Sequence, residues 1–295
     1  NKRYIIIMKG KIKVIKGEVE MIYEKIKLKD ISSKLKESNA VISIYIPENS
    51  EEININKKRE TIIMCPGGGY VMTSDREAEP VALKFVAEGF NVVVLRYSVA
   101  PNKFPKALIE LAATVDYVRS KSKEWNVDKD KIIVCGFSAG GHLAGSLGVL
   151  WDNKILEEAL EINKDNIKPN AMILCYPVIT SGEFAHKGSF DNLLGENVSE
   201  VEREKLSLEK LVSKNTPTTF LWHTFDDGAV PVQNSLFFAN SLASNNVPFE
   251  LHIYPNGVHG LSLCEELTAM NGQSEHINQH AGTWFKLAVE WIKNL

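Results

Sequence analysis

The chain has no excess of charge of either sign. Its 34 Lys and Arg stand against 37 Asp and Glu over 295 residues, a formal charge of −3. That leaves no basic field for nucleic acid and no polybasic patch for an anionic membrane. No apolar run approaches the roughly 20 residues of a membrane span. The start, Asn1-Lys2-Arg3 followed by Tyr4-Ile5-Ile6-Ile7-Met8 and then Lys9, is basic and then apolar. Its apolar part is shorter than the roughly 7–15 residues of a secretory core. Cysteine is sparse: Cys65, Cys135, Cys175 and Cys264, with no CxxC pair. Zinc and dithiol redox chemistry are therefore not indicated, and small buried thiols in a reducing compartment account for all four. The glycine-rich stretch at 67–69 lacks the Gly-Lys-Ser/Thr of a phosphate loop and the G-x-G-x-x-G of a dinucleotide site. We expect a cytoplasmic protein with no metal, no cofactor, and no nucleic-acid or membrane partner.

What is present is a large apolar fraction, 44%, enough for one sizeable core. Residues 1–30 mix Ile and Lys in partial alternation and suit edge strands, with room for a homodimer contact there. Thr61-Ile62-Ile63-Met64-Cys65, Asn91 to Arg96, Ile132-Ile133-Val134-Cys135, Ala171 to Tyr176, Thr218 to Trp222 and Phe249 to Tyr254 read as strands, several of them apolar on both faces. Helical segments stand between them, near 76–88, 106–123, 139–151 and 233–244, and another follows at 281–294. This alternation predicts a single α/β domain over 1–295, a doubly wound, mostly parallel sheet with helices on both faces. The charged stretch 178–216 breaks the rhythm and is expected to be a small helical cap over one end of the sheet.

The strand ending at Cys135 runs into Gly136-Phe137-Ser138-Ala139-Gly140, a G-x-S-x-G segment followed by a helix rich in small residues. A serine on such a sharp turn has an exposed hydroxyl, and flanking glycines let strand and helix approach closely. Ser138 is thus the candidate nucleophile. A hydroxyl nucleophile needs amide donors for the oxyanion, and removing one costs about 3 kcal/mol. The amide of Ala139 is one candidate. Gly68 and Gly69, in the loop after strand 61–65, supply the others. Histidine suits the general base near neutral pH. Of seven histidines, His259 follows strand 249–254 across a glycine-containing loop. His252 lies within that strand, His142 is on the elbow helix, and His223 ends the strand before an acidic loop. An orienting carboxylate is expected in that loop, where Asp226 and Asp227 are adjacent.

Together, Pro66-Gly67-Gly68-Gly69-Tyr70, Gly136 to His142, Trp222 to Pro231, and Gly257-Val258-His259-Gly260 resemble the α/β-hydrolase superfamily. Within it they are similar to the bacterial acetyl-xylan esterase and lipase-like sugar-esterase branch, over roughly 40–295. The resemblance implies a sheet of about eight strands and a triad of Ser138, Asp227 and His259. Asp227 is favoured over Asp226 because related acids precede Val-Pro by three residues. It implies an oxyanion site at Gly68, Gly69 and Ala139, and a small-molecule ester substrate such as an acetylated sugar. Tyr70 and the 178–212 segment, including Phe184 and Phe190, are candidates for walls of the acyl or sugar pocket, with plain core packing as the alternative. An amidase or arylformamidase-like hydrolase, and a non-catalytic ligand receptor, are the alternatives. One departure stands out: related enzymes often place His before the three glycines, whereas this chain has Cys65-Pro66, so the loop needs another anchor.

Overall fold

In a computed structural model the described residues are 21–295, together with the backbone of two short strands before them, β1 (Ile5–Met8) and β2 (Lys11–Val14). The rest of 1–20, and with it part of the expected edge segment 1–30, lies outside the described residues. β1 and β2 pair antiparallel as a separate two-stranded ribbon.

The main sheet has eight strands: β3 (Ile22–Lys27), β4 (Val41–Ile46), β5 (Arg59–Cys65), β6 (Asn91–Arg96), β7 (Val127–Phe137), β8 (Ala171–Cys175), β9 (Thr218–Thr224) and β10 (Phe249–Tyr254). Their spatial order is β10-β9-β8-β7-β5-β6-β4-β3. β5 to β10 run parallel, while β3 and β4 form an antiparallel edge. Nine helices accompany the sheet among the described residues: α1 (Glu79–Ala87), α2 (Lys106–Ser120), α3 (Ala139–Leu150), α4 (Lys154–Leu160), α5 (Lys164–Ile167), α6 (Lys187–Leu194), α7 (Glu200–Glu204), α8 (Gln233–Ser244) and α9 (Gln279–Lys293).

The central strands lack polar alternation because both of their faces are buried. Successive side chains enter opposite cores. Ile63 and Val134 join Leu111 of α2, Leu147 of α3 and Phe238 of α8 on one face. Ile62, Met64, Ile133 and Cys135 join Phe85 of α1 and Trp284 and Ile292 of α9 on the other. The sheet is thus wound on both sides, the α/β-hydrolase arrangement.

Because the parallel strands point one way, the loops after β5, β7, β8, β9 and β10 emerge at one edge, where open α/β sheets hold their ligands. The 178–216 segment crosses this edge and contains α6 and α7. It is tied down from below by Asn234 of α8, a fully buried amide. Its Oδ1 accepts the N–H groups of Ile179 and Thr180 at 2.8 and 3.0 Å, and its Nδ2 donates to the carbonyls of Phe184 and Pro231, both at 2.9 Å.

Candidate active site

Ser138 occupies the turn between β7 and α3, with φ 54° and ψ −119°. A side chain other than glycine is strained there and persists only where its surroundings hold it. Here the Ser138 N–H donates to the Cys175 carbonyl at 3.0 Å, and its own carbonyl accepts from His142 and Val178, each at 3.1 Å. Two glycines make the turn sterically feasible. A Cβ on Gly136 would collide with the carbonyl of Gly140, and one on Gly140 with the carbonyls of Cys65 and Pro66.

Ser138 Oγ lies 2.8 Å from Nε2 of His259, and Nδ1 of the same ring lies 2.7 Å from Oδ2 of Asp227. The other oxygen of Asp227 accepts the N–H groups of Ala229 and Val230, both at 2.9 Å. Burial alone would raise the Asp227 pKa. Hydrogen bonds from His223 and His259, the charge of His259 and the Val230 amide outweigh that and hold the carboxyl well below its usual range. An ionised carboxylate only accepts, so Nδ1 of His259 carries a proton and Nε2 is left to accept one from Ser138. His223 Nε2 donates to the Val230 carbonyl at 2.9 Å, and its Nδ1 lies 2.8 Å from Ser235 Oγ, which fixes the loop that presents Asp227. Asp226 faces elsewhere, accepting the Gly257 N–H at 2.6 Å.

The loop after β5 passes beside Ser138. A Cβ on Gly67 would come 2.8 Å from the Phe137 carbonyl and 3.0 Å from Ser138 Cβ. Among the described residues the amides of Gly68, Gly69 and Ala139 have no intramolecular acceptor, whereas that of Gly67 donates to Glu77 Oε2 at 2.7 Å. The substitute for the missing histidine is therefore a set of anchors. Glu77 holds Gly67, the Tyr97 hydroxyl donates to the Pro66 carbonyl at 2.7 Å, and Asn192 of α6 donates to the Gly69 carbonyl at 2.8 Å.

Tyr70 corrects an expectation. It is 3% exposed and points into the core, its hydroxyl 3.0 Å from Nδ1 of His142. The Nε2 of that imidazole lies 3.0 Å from the Leu206 carbonyl, which only accepts. The proton is therefore on Nε2, and Nδ1 accepts from Tyr70. Burial lowers the His142 pKa to about 4, against the raising effect of the Leu206 carbonyl. Phe190 is buried too, edge-on to His142 at 5.3 Å, and borders a polar cavity of the 178–216 segment. Phe184 is half-buried against Phe237.

Three residues of the site escaped sequence reasoning. Glu77, in the turn before α1, reads as one of several charges opening a helix. Tyr176, after β8, reads as core; its ring lies 5.2 Å from that of His259. His186 caps α6, its Nδ1 2.8 Å from Ser189 Oγ, and the Ser189 hydroxyl lies 3.9 Å from where a Cβ of Gly69 would stand. Burial and the charge of His259 lower its pKa, opposed by Asp227, so it belongs to the same electrostatic neighbourhood. A polar cavity of about 600 Å³ lies on another side of this segment, lined by Ser181, Glu183, Lys187, Arg203 and Lys210 among others, and includes none of Ser138, Asp227 and His259. Among the described residues no cluster of His, Cys, Asp and Glu could hold a metal, and no helix is long and apolar enough to cross a membrane.

Residues 42–242 match the BD-FAE family. The chain belongs to this family of α/β hydrolases. The chain is also similar to solved structures and curated proteins. The acetyl ester-xyloside bifunctional hydrolase from Caldicellulosiruptor lactoaceticus is 38% identical with a TM-score of 0.77, the match covering 92% of this chain and 96% of that one. Endo-1,4-beta-xylanase B of Butyrivibrio fibrisolvens is 38% identical over 219 residues, 72% of this chain and 34% of that protein. The acetylxylan esterase of Xylanibacter ruminicola is 25% identical over 265 residues, 88% of this chain and 48% of that protein. The chain thus spans about a third and about half the length of these two curated relatives.

Proposed function

We propose that this BD-FAE family chain is a serine carboxylic-ester hydrolase that removes acetyl groups from sugars or xylo-oligosaccharides. The observation that carries the reading is the continuous hydrogen-bonded line from Ser138 Oγ through both nitrogens of His259 to Asp227. The acetyl-sugar part leans on the names of the relatives, two of which are an acetylxylan esterase and an acetyl ester-xyloside hydrolase.

Ser138 Oγ attacks the ester carbonyl carbon while His259 Nε2 takes its proton. Asp227 keeps the ring in the tautomer that leaves Nε2 basic, and its charge stabilises the imidazolium that forms. Negative charge collects on the carbonyl oxygen and is met by the amides of Gly68, Gly69 and Ala139. Donors already in place need no reorganisation as charge develops. The imidazolium gives its proton to the departing sugar oxygen, which leaves as a hydroxyl, and an acetyl ester remains on Ser138. Water, deprotonated by His259, attacks that ester; as the acyl bond breaks the imidazolium returns the proton to Ser138 Oγ and the acetyl group leaves as acetic acid, which ionises in solution. The 178–216 segment acts as the cap of a single-domain enzyme, joined to the Gly69 loop through Asn192. A cytoplasmic setting belongs to the same reading, since all four cysteines are buried free thiols.

The test is p-nitrophenyl acetate turnover by the wild type and Ser138→Ala, followed by acetylated xylo-oligosaccharides against longer acyl esters. The variant should lose at least about 10³-fold in kcat. Near wild-type turnover by the variant would sink the triad. A preference for long acyl chains would sink the acetyl-sugar assignment and leave the triad standing.

A further inference from the structure

Glu77 is a buried carboxylate that none of the steps above uses. It is 4% exposed and sits in the turn Asp75–Glu77. Its two oxygens reach two different parts of the site. Oε2 accepts the Gly67 N–H at 2.7 Å, and Oε1 accepts the Tyr176 hydroxyl at 2.7 Å. The Tyr176 oxygen in turn accepts the Ser262 N–H at 2.9 Å, three residues beyond His259. The neighbouring Arg76 grips the same loop: its guanidinium donates to the Gly260 carbonyl at 2.7 Å and the Thr268 carbonyl at 2.5 Å, and its own carbonyl accepts the Ser262 hydroxyl at 2.6 Å. Tyr176 also presents its ring edge-on to the His259 imidazole, with centroids 5.2 Å apart.

Gly67 is wedged between Glu77 and the elbow. A Cβ there would stand 2.7 Å from Glu77 Oε2 and 3.0 Å from Ser138 Cβ. The glycine loop and, through Tyr176, the His259 loop thus share one carboxylate, and the nucleophile turn packs against the Gly67 that it holds. We propose that Glu77 is a positioning residue, which registers the oxyanion amides and the His259 imidazole on the same reacting carbon through Gly67 and the Tyr176–Ser262 bridge. This rests on the hydrolase reading above. The physical reason is that the two loops belong to strands β5 and β10, near opposite ends of the parallel part of the sheet. Strand pairing alone leaves their tips free to drift, and misplacement by about 1 Å costs about 100-fold in rate.

The experiment compares wild type, Glu77→Gln, Tyr176→Phe and the double variant in p-nitrophenyl acetate hydrolysis, with thermal unfolding followed by circular dichroism. Glutamine keeps the shape but replaces one acceptor with an NH₂ donor, so either the Gly67 amide loses its partner or the Tyr176 hydroxyl must rotate to accept and give up its own donation. The expected result is a fall in kcat of about 100-fold with KM within about threefold, since the lost registry matters in the transition state. Tyr176→Phe, which removes the hydroxyl's bonds to Glu77 and to Ser262 but leaves the Glu77–Gly67 bond, should lose less, and the double variant should be no slower than Glu77→Gln because the two act as one unit. Folded Glu77→Gln with kcat within about threefold of wild type would overturn the proposal, as would losses that multiply in the double variant. Should Glu77→Gln not fold, an unchanged kcat in Tyr176→Phe overturns it alone, and a selective kcat loss supports it. A wild type without esterase turnover would strike the hydrolase reading instead, and the rate of Ser138 labelling by a fluorophosphonate would then give the same comparison.

Discussion

Asp226 and Asp227 are neighbours in the chain, yet their carboxylates secure different things. Oδ1 of Asp226 holds the Gly257 backbone at 2.6 Å, and Oδ2 of Asp227 meets His259 Nδ1 at 2.7 Å. The two roles separate by substitution. Asp227→Asn puts an amide against the imidazole and favours the wrong tautomer, and kcat should fall by about three to four orders of magnitude. Asp226→Asn keeps an acceptor for Gly257 and should change kcat by less than about fivefold, since a neutral acceptor gives up only part of such a bond. Steady-state kinetics on the two variants decides; equal losses would mean that both carboxylates serve the ring.

The elbow glycines make a stability prediction. In Gly140→Ala the new methyl meets the backbone carbonyls of Cys65 and Pro66. Backbone on both sides has nowhere to go, so the variant should lose about 3 kcal/mol or more, above the common range for a core overpacking. Urea midpoints measure this. A midpoint like that of the wild type would show that β5 and α3 can part without penalty.

His142 predicts acid sensitivity. Its folded pKa is lowered by burial to about 4 from an ordinary 6.5. Between those values the unfolded chain binds the proton and the folded one does not, so stability falls as pH drops from about 6.5 toward 4. At pH 5 the loss from this group is roughly 2 kcal/mol relative to pH 7.5. Asp227 acts lower still: its depressed pKa gives stability that is complete above 3.8 and disappears only as pH falls below that. Urea unfolding at pH 7.5 and pH 5 should therefore show a smaller drop in His142→Gln than in wild type. An identical drop would place the sensitivity elsewhere.

Asn234 predicts how the 178–216 segment is held. All four of its hydrogen-bonding groups are used by backbone. Asn234→Ala strands the amides of Ile179 and Thr180 in a buried place, at about 1–3 kcal/mol each. Limited proteolysis should then cut within 180–190 sooner than in wild type. Unchanged cleavage would show that the segment is held by its apolar contacts alone.

Much of this was legible before any coordinates. The apolar runs without alternation gave the doubly buried strands, and the order of Ser138, the acidic loop and His259 after successive strands brought the three groups to one edge. What could not be read was everything set by long-range hydrogen bonding. Tyr70 beside three glycines suggests a ligand wall, but the buried imidazole of His142 draws its hydroxyl inward. Glu77 opens a helix among other charges, and nothing local says that its carboxylate faces the interior. His186 stands in a polar stretch with no periodicity, so only the fold reveals its neighbours.

The bond from Asn192 to the Gly69 carbonyl means that the covering segment and the amide-bearing loop are parts of one mechanical unit. Altering α6 to admit a bulkier substrate would also perturb the amides proposed to stabilise the oxyanion. Transplanting residues 178–216 from a relative would accordingly carry over turnover rate together with substrate preference. Enlarging the repertoire of this scaffold then requires paired changes at Asn192 and the glycine loop, because neither can be tuned alone.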